Sequence, residues 1–182
     1  MKKLFALVVA LNIAAASFAA EKAAFNILDF GAKGDGVTKD TVAIYIKSRD
    51  GRGGYMEDIS GENLTILKSP TFVGIDLLKK GIHASDPVPG DVEKWPLMKN
   101  ISFKKIRVQD VGELVVAMNI PAARPLDGLT LSEISGTCAQ AITLANMTNV
   151  NLSKIRVTGY QGPLVTTNNV TGENLSDAAA AK

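Results

Sequence analysis

Cysteine, histidine and tryptophan each occur only once in the sequence, as Cys138, His83 and Trp95. A single cysteine cannot form a disulfide within the chain, so burial and backbone pairing must hold the fold. One histidine and one cysteine cannot supply a tetrahedral zinc site, and the sequence contains neither a phosphate-binding loop nor a dinucleotide-binding fingerprint. The sequence therefore predicts no metal and no cofactor.

An excess of charge of one sign is also missing. Residues 1–19 combine Lys2 and Lys3, an apolar run and small residues up to Ala19, a pattern that predicts a secretory signal peptide. Without Lys2 and Lys3 the 20 basic residues fall to 18, which equals the 18 acidic residues. A neutral chain has no overall field for nucleic acid, and no later apolar stretch is long enough to span a bilayer. We therefore expect a secreted protein that binds neither nucleic acid nor membranes.

A nine-residue pattern recurs along the chain. Residues 100–108 (N-I-S-F-K-K-I-R-V) and 149–157 (N-V-N-L-S-K-I-R-V) are identical at five of nine positions. Weaker copies occupy residues 58–66, 128–136 and 169–177, so successive copies begin 42, 28, 21 and 20 residues apart. Self-similarity at such intervals indicates a stack of similar structural units.

Each copy is predicted to form two short strands that meet at a corner. In residues 100–108, Ile101 and Phe103 share one face, two polar residues follow, and Ile106 and Val108 share a face again. No apolar stripe of helical period lies between the copies. Successive parallel strands without helices are typical of a solenoid whose coils bury a common core, so we predict an all-β fold.

The predicted coils occupy residues 45–176, preceded by a capping strand and turn over residues 20–44. Residues 79–96 contain three prolines and two glycines and are predicted to be a loop that leaves the coil. The alanine-rich residues 177–182 are predicted to be a disordered tail, and the protein is expected to be a monomer. One corner position of the stack is predicted to be shared by Asn63, Lys105 and Lys154.

Two segments resemble a known superfamily. Residues 25–41 read F-N-I-L-D-F-G-A-K-G-D-G-V-T-K-D-T, similar to the opening strand of the pectate-lyase-like β-helix proteins. Residues 44–66 resemble glycoside hydrolase family 28, the polygalacturonases and rhamnogalacturonases, where an R-I-K motif precedes an R-G-G turn. The resemblance implies a right-handed, single-stranded parallel β-helix, here shortened to about five or six coils. It also implies a glycosidase that acts on pectic polysaccharide.

The catalytic part of that family is missing between the two segments. In the family a long run of coils separates the opening motif from R-I-K, whereas here Ile44 leads directly into Tyr45. The family motifs N-T-D, D-D and G-H-G do not occur in the sequence. Because glycosidic hydrolysis needs two carboxyl groups in defined roles, we predict an internal deletion joined near Ile44 and Tyr45, no catalytic residue and little or no hydrolysis.

A basic cluster beside the junction is the candidate binding site. Lys47 matches the family lysine that holds a uronate carboxylate, and Tyr45 stands where the family has arginine. Arg49 and Arg52 add two cations that suit carboxylate groups. We predict that Lys47, Arg49 and Arg52 bind the substrate, and that the partner is a pectic polysaccharide or oligogalacturonate.

Other ionisable or reactive side chains have a structural interpretation. The acidic residues Asp50, Glu57 and Asp58 lie near the basic cluster and are interpreted as turn caps and solvated coil edges rather than a catalytic pair. Cys138 lies between small residues and is interpreted as a small buried side chain.

Three hypotheses for the function stay open at this point. The first is a shortened polygalacturonase-like protein with little or no activity. The second is a non-catalytic carbohydrate-binding or structural β-helix, for which binding of oligogalacturonate without turnover would be the mark. The third is a gene product that the deletion has deprived of any function.

Overall fold

The computed structural model describes residues 42–49, 51–79 and 94–181, all of which lie in one compact unit. Within these ranges no helix is long and apolar enough to cross a membrane. In chain order the elements are β1 (Ile44–Arg49), β2 (Tyr55–Glu57), β3 (Ser60–Glu62), β4 (Thr65–Leu67), β5 (Thr71–Lys79), β6 (Leu97–Met118), β7 (Leu126–Thr158), β8 (Val165–Glu173) and α1 (Asp177–Ala180).

The strands form one parallel sheet. Its order is β1-β5-β6-β7-β8, and β2, β3 and β4 pair with successive parts of β6. Paired residues lie 42 apart between β5 and β6, 28 or 27 apart between β6 and β7, and 23 or 22 apart between β7 and β8. The prediction of an all-β fold built from parallel strands is therefore confirmed, as are the intervals of 42 and 28 residues.

The last repeat pairs in a different register from the predicted one. The sequence pattern places residue 169 opposite residue 149, whereas β8 pairs Gly172 with Val150. The Asn169 amide instead donates a hydrogen bond of 2.7 Å to the Asn146 side-chain oxygen. Burial explains the difference, because this register places the buried Val165 beside Ile142, and burial fixes strand register more strongly than similarity of letters.

Residues with positive φ interrupt the alternation of the long strands. In β6 the buried Phe103 and Ile106 lie on either side of Lys105, whose φ is 55°. This left-handed conformation resets which side chains face the core. The prediction of two short strands is therefore wrong in one respect, because residues 100–108 lie within the single strand β6 and the break in alternation falls inside it. Four residues have this left-handed conformation at the predicted corner position, with φ between 54° and 59°: Asn63, Lys105, Glu133 and Lys154. Three of these four were expected from the sequence, and Glu133 was not.

The core consists of apolar side chains stacked between register partners. The partners in β6 and β7 are at most 1 % exposed: Ile101 with Leu129, Phe103 with Leu131, and Ile106 with Ile134. Phe72 of β5 meets Phe103 edge-to-face, with 5.6 Å between the ring centroids. Continuous burial of this kind supplies the stability that the absent disulfides would otherwise provide.

Two glycines allow neighbouring strands to change register. Between β6 and β7 the register shifts after the pair Val108 and Gly136, and between β7 and β8 it shifts before the pair Val150 and Gly172. Gly136 has a φ of 126° and Gly172 one of 154°. A Cβ on either glycine would overlap the partner's carbonyl oxygen, so both positions require the absence of a side chain.

The C-terminal prediction needs correction, because α1 forms a helical turn within the tail expected to be disordered, residues 177–182. The Ala180 N–H donates to the Ser176 carbonyl at 2.9 Å, and an Asp177 carboxylate oxygen accepts a 3.0 Å hydrogen bond from the Val165 N–H. Alanine favours helix, and the fully buried Ala180 gains from covering the core. The predicted signal peptide and most of the predicted capping strand and loop lie outside the described residues.

Candidate functional site

Strand β1 positions the two residues of the site that the family resemblance singled out. Its side chains alternate, so Ile46 and Ser48 are buried while Tyr45 and Lys47 are exposed. The Lys47 ammonium lies 5.5 Å from the centroid of the Tyr45 ring, within the range of a cation–π interaction. Tyr45, where the resemblance expects arginine, therefore places an aromatic ring beside the predicted carboxylate-binding lysine.

The two arginines of the predicted cluster follow directly. Arg49 ends β1, is half-buried, and pairs with Lys79 after a shift in register. Arg52 is exposed in the next turn, where its backbone N–H donates to the Arg49 carbonyl at 3.4 Å. Gly51, with a φ of 83°, supports this tight turn. The structure thus places Lys47 and Arg49 on one strand and Arg52 in the turn that continues it.

The Tyr45 ring is held across the neighbouring strand. A Cβ at Gly74 of β5 would lie 3.2 Å from Cδ2 of Tyr45, so the ring rests where Gly74 has no side chain. The Tyr45 hydroxyl donates a 3.3 Å hydrogen bond to the Asp76 carboxylate. Asp76 is itself the register partner of Lys47. Tyr45, Lys47 and Asp76 therefore form one contiguous polar surface over β1 and β5.

A groove of about 310 Å³ continues this surface over β5 and β6, and we call it the acidic groove. Its carboxylates are Asp76 and Glu113. The Thr71 hydroxyl donates to Glu113 at 3.0 Å, and the Asn119 amide donates to Asp76 at 3.4 Å. Each carboxylate is thus held by an uncharged donor that fixes its position in the wall of the groove.

A second groove, of about 470 Å³, lies on the same sheet over β7 and β8, and we call it the neutral groove. Every side chain in its lining is uncharged, and the polar ones are Gln140, Thr143, Gln161 and Thr166. The two grooves are adjacent, because Gln140 pairs with Glu113 and Thr143 pairs with Val116 of the acidic groove. A polymer that crosses the strands could therefore contact both grooves.

The acidic residues discussed in the sequence analysis lie apart from these grooves. Glu57 is exposed on β2, and Asp58, at a corner with a φ of 56°, accepts a 3.0 Å hydrogen bond from the Asn100 amide. Asp58 is therefore a corner residue, as interpreted from the sequence, and Asp50 lies outside the described residues. Across the described ranges no group of three metal-ligating side chains occurs.

Cys138 is 3 % exposed, which confirms its interpretation as a buried residue. Burial raises the pKa of its thiol above the ordinary value, because the low-dielectric surroundings disfavour the thiolate.

Sequence reasoning missed most of the groove residues. Asp76, Glu113 and Gln140 are far apart in sequence and belong to no recognisable motif. Their proximity results from strand register, which depends on intervals of 42 and 27 residues that differ from one pair of strands to the next. The repeat is the one sequence signal that could have predicted such neighbours, because it aligns residues 58–66 with residues 100–108. The first of these copies ends before β5 begins, so it does not reach Asp76.

Comparisons with known proteins give one short similarity. No protein-family profile and no solved structure matches the chain. Among curated proteins the chain is similar to "Non-secreted LysM effector LysM19" of Penicillium expansum, with 30% identity over 115 residues. The match spans 45% of this chain and 9% of that protein, so this chain corresponds to a small part of it.

Proposed function

We propose that this chain is a secreted glycan-binding protein, related to the family 28 glycoside hydrolases and without their hydrolytic activity. The proposed ligand is a pectic polysaccharide or oligogalacturonate whose carboxylates are held at Lys47, Arg49 and Arg52. The resemblance of residues 25–41 and 44–66 to that family supports the class of ligand.

The proposed arrangement of the strands is a right-handed parallel β-helix. Two features support it: strands pair in parallel at recurring intervals, and left-handed residues such as Lys105 and Glu133 stand opposite each other in neighbouring strands. A crystal structure of the secreted chain would give the handedness directly. An open sheet or a left-handed winding would contradict this part of the proposal.

The observation that carries the binding proposal is the pairing of an exposed cation with an exposed ring beside a groove. The Lys47 ammonium can bind a uronate carboxylate, and the Tyr45 ring, 39 % exposed, can pack against a sugar face. The Tyr45 ring is held by its contact with Gly74 and by its hydrogen bond to Asp76. Such preorganisation lowers the entropic cost of binding.

Two facts support the absence of turnover. The family's catalytic motifs are missing from the sequence. The carboxylates of the acidic groove, Asp76 and Glu113, accept hydrogen bonds from Tyr45, Thr71 and Asn119, so both already serve as structural acceptors. A glycosidase needs one carboxyl group that gives its proton to the leaving oxygen and a second that acts on water or the sugar.

The test combines binding and turnover on the purified full chain. Calorimetric titration with oligogalacturonate should show saturable binding, and reducing-sugar assays on polygalacturonate should show no release. Lys47→Ala should weaken binding roughly tenfold, because a hydrogen bond to a charged group contributes about 1.5–3 kcal/mol. Arg156→Ala, at an exposed position of β7 outside both grooves, is the matched control and should bind normally.

The outcomes separate the hypotheses. Sugar release that Lys47→Ala abolishes would show a working glycosidase and refute the proposed loss of activity. Absence of both binding and release in a folded sample would favour a product that has lost its function. If Lys47→Ala and Arg156→Ala reduce the binding affinity equally, the net charge of the protein rather than the site attracts the glycan.

A further inference from the structure

Several asparagines stand in the tripeptide Asn-X-Ser/Thr, which accepts N-linked glycans in secreted proteins. There are six of them: Asn63, Asn100, Asn146, Asn151, Asn169 and Asn174. All lie within the described residues, so the structure shows what each side chain contacts. The contacts of the side-chain nitrogen separate a usable acceptor from an asparagine that serves the fold, because the glycan is attached to that atom.

Four of the six asparagines use the side-chain nitrogen in contacts between neighbouring parts of the sheet. The Asn146 amide donates to the Ile120 carbonyl at 2.6 Å, and the Asn169 amide donates to the Asn146 side-chain oxygen at 2.7 Å. The Asn100 and Asn151 amides donate to nearby carboxylates at 3.0 Å and 3.4 Å. A glycan would replace one N–H of this nitrogen and place a bulky sugar against the neighbouring strand. These four positions therefore do not suit a glycan in the folded chain.

Asn63 and Asn174 differ from the other four. Both side chains are exposed, and neither forms a hydrogen bond within the part of the chain that the structure describes. The backbone at both is left-handed, with φ of 59° and 58°, a conformation that asparagine adopts more readily than most residues. The Asn63 N–H donates to the Lys104 carbonyl at 3.1 Å, so the backbone is held while the side chain is exposed. Both sites can carry a glycan without loss of a described contact.

The two free acceptors lie at opposite ends of the sheet. Asn63 lies between β3 and β4, which pair with one side of β6, while β7 pairs with the other side. Asn174 directly follows β8, the last strand of the sheet. Among the described residues, these end strands pair on one side only. Both ends therefore present backbone N–H and C=O groups to which the edge of another sheet could pair.

Neither end carries the side chains that commonly guard an edge strand, such as lysine or proline. Residues 60–67 contain no lysine, arginine or proline, and their one carboxylate, Glu62, accepts a 2.9 Å hydrogen bond from the Lys105 ammonium. Residues 165–173 of β8 also lack all three residue types, and Glu173 is their only charged side chain. A bulky, hydrated glycan beside each edge would supply the missing protection.

We infer that Asn63 and Asn174 are N-glycosylation sites whose glycans shield the two end strands from pairing with other chains. The donor is a polyprenyl-diphosphate-linked oligosaccharide. The asparagine Nδ2 loses a proton and bonds to C1 of the first sugar, the bond from C1 to the diphosphate oxygen breaks, and the lipid diphosphate leaves. The inference rests on the proposed function in one respect, since the transfer requires a secreted chain, but both sites lie outside the acidic and neutral grooves.

The first experiment secretes the full chain from a eukaryotic host and maps the occupied asparagines by mass spectrometry. The folded, secreted chain should carry glycans at Asn63 and Asn174 and at none of the other four. A glycan at Asn146 or Asn169 in folded protein, or the lack of one at Asn63 or Asn174, would overturn the inference. A chain that is not secreted would refute the secreted location, and with it both proposals.

A second experiment tests the shielding of the end strands. Thr65→Val and Ser176→Ala together keep both asparagines but remove the two acceptor tripeptides. The double variant should self-associate several-fold more than the glycosylated chain at equal concentration, as measured by light scattering. Trimming the wild-type glycans to a single sugar should have the same effect without any substitution. Ser153→Ala, which removes the Asn151 tripeptide, is the matched control and should keep both glycans and the wild-type behaviour.

The outcomes separate the inference from the proposed function. If the trimmed wild-type chain stays as monomeric as the glycosylated one, the shielding is refuted whatever the ligand of the grooves. Lys47 and both grooves are unchanged in the trimmed chain, so it should bind oligogalacturonate as the glycosylated chain does. If neither form binds oligogalacturonate but trimming causes self-association, the proposed ligand is wrong and the inference stands.

Discussion

Replacement of Gly136 by alanine tests the register shift between β6 and β7. The new Cβ would overlap the Val108 carbonyl oxygen and lie 2.8 Å from the Val108 carbonyl carbon. Real Cβ atoms do not approach this closely, so one strand must move. The φ of 126° is also unfavourable for any residue with a side chain. Both costs act on the folded state only.

The expected loss of stability follows from these two effects. Backbone strain of this kind costs about 1–3 kcal/mol, and forced displacement of packed neighbours costs a similar amount. Alanine lowers the conformational entropy of the unfolded chain, which offsets this loss of stability by about 0.4–1 kcal/mol. The net expectation for Gly136→Ala is a loss of about 3 kcal/mol, which lowers the melting temperature by roughly 6–12 °C for a chain of this size.

Gly162→Ala is the matched control. Gly162 also has a positive φ, 82°, but nothing lies within 4 Å of an added Cβ. The control therefore carries backbone strain without overlap, and its net cost should be about 1 kcal/mol. Urea unfolding of both variants, with equal m-values, gives the comparison. If Gly136→Ala and Gly162→Ala differ by less than about 0.5 kcal/mol, the close approach of the two strands is refuted.

Three further predictions concern polar groups and the thiol. Asn146→Ala removes the amide that donates to the Ile120 carbonyl at 2.6 Å and should destabilise the fold by about 1–2 kcal/mol, as measured by urea unfolding. The Glu62 carboxylate raises the pKa of Lys105 through a hydrogen bond and charge attraction. The stability that this pair contributes is therefore present below about pH 10.4 and is lost as the pH rises through the folded pKa. Glu62→Gln should remove this loss of stability at alkaline pH in urea unfolding. Cys138 should react with a thiol reagent at pH 8 much more slowly in the native chain than in urea, because burial raises its pKa; equal rates would contradict its buried position.

The repeat shows how far sequence reasoning reached. Residues 100–108 alternate apolar and polar side chains with one break, and this pattern alone predicts two short strands and a corner. The break in alternation appears at the left-handed Lys105, within the single strand β6 rather than between two short strands, and the intervals of 42 and 28 residues appear in the pairing of β6 with its neighbours. These features were predictable because they depend on local periodicity and on burial of a shared face.

The errors fell where long-range pairing competes with local similarity. Residues 169–177 resemble an earlier copy, yet β8 takes another register because Val165 must be buried beside Ile142. The alanine-rich tail was predicted to be disordered, but Ala180 is buried within the core cluster. Neither outcome can be read from a window of nine residues.

The sequence by itself determined the all-β parallel character of the protein, because alternation and recurring intervals suffice for it, and it singled out Lys47 and Tyr45 through a family resemblance. Only the tertiary structure decided that Asp76, Glu113 and Gln140 share one surface with them. Strand pairing across the sheet sets those neighbours. Its register is chosen by burial of the whole core and by glycines that let two backbones touch, and neither is a local property.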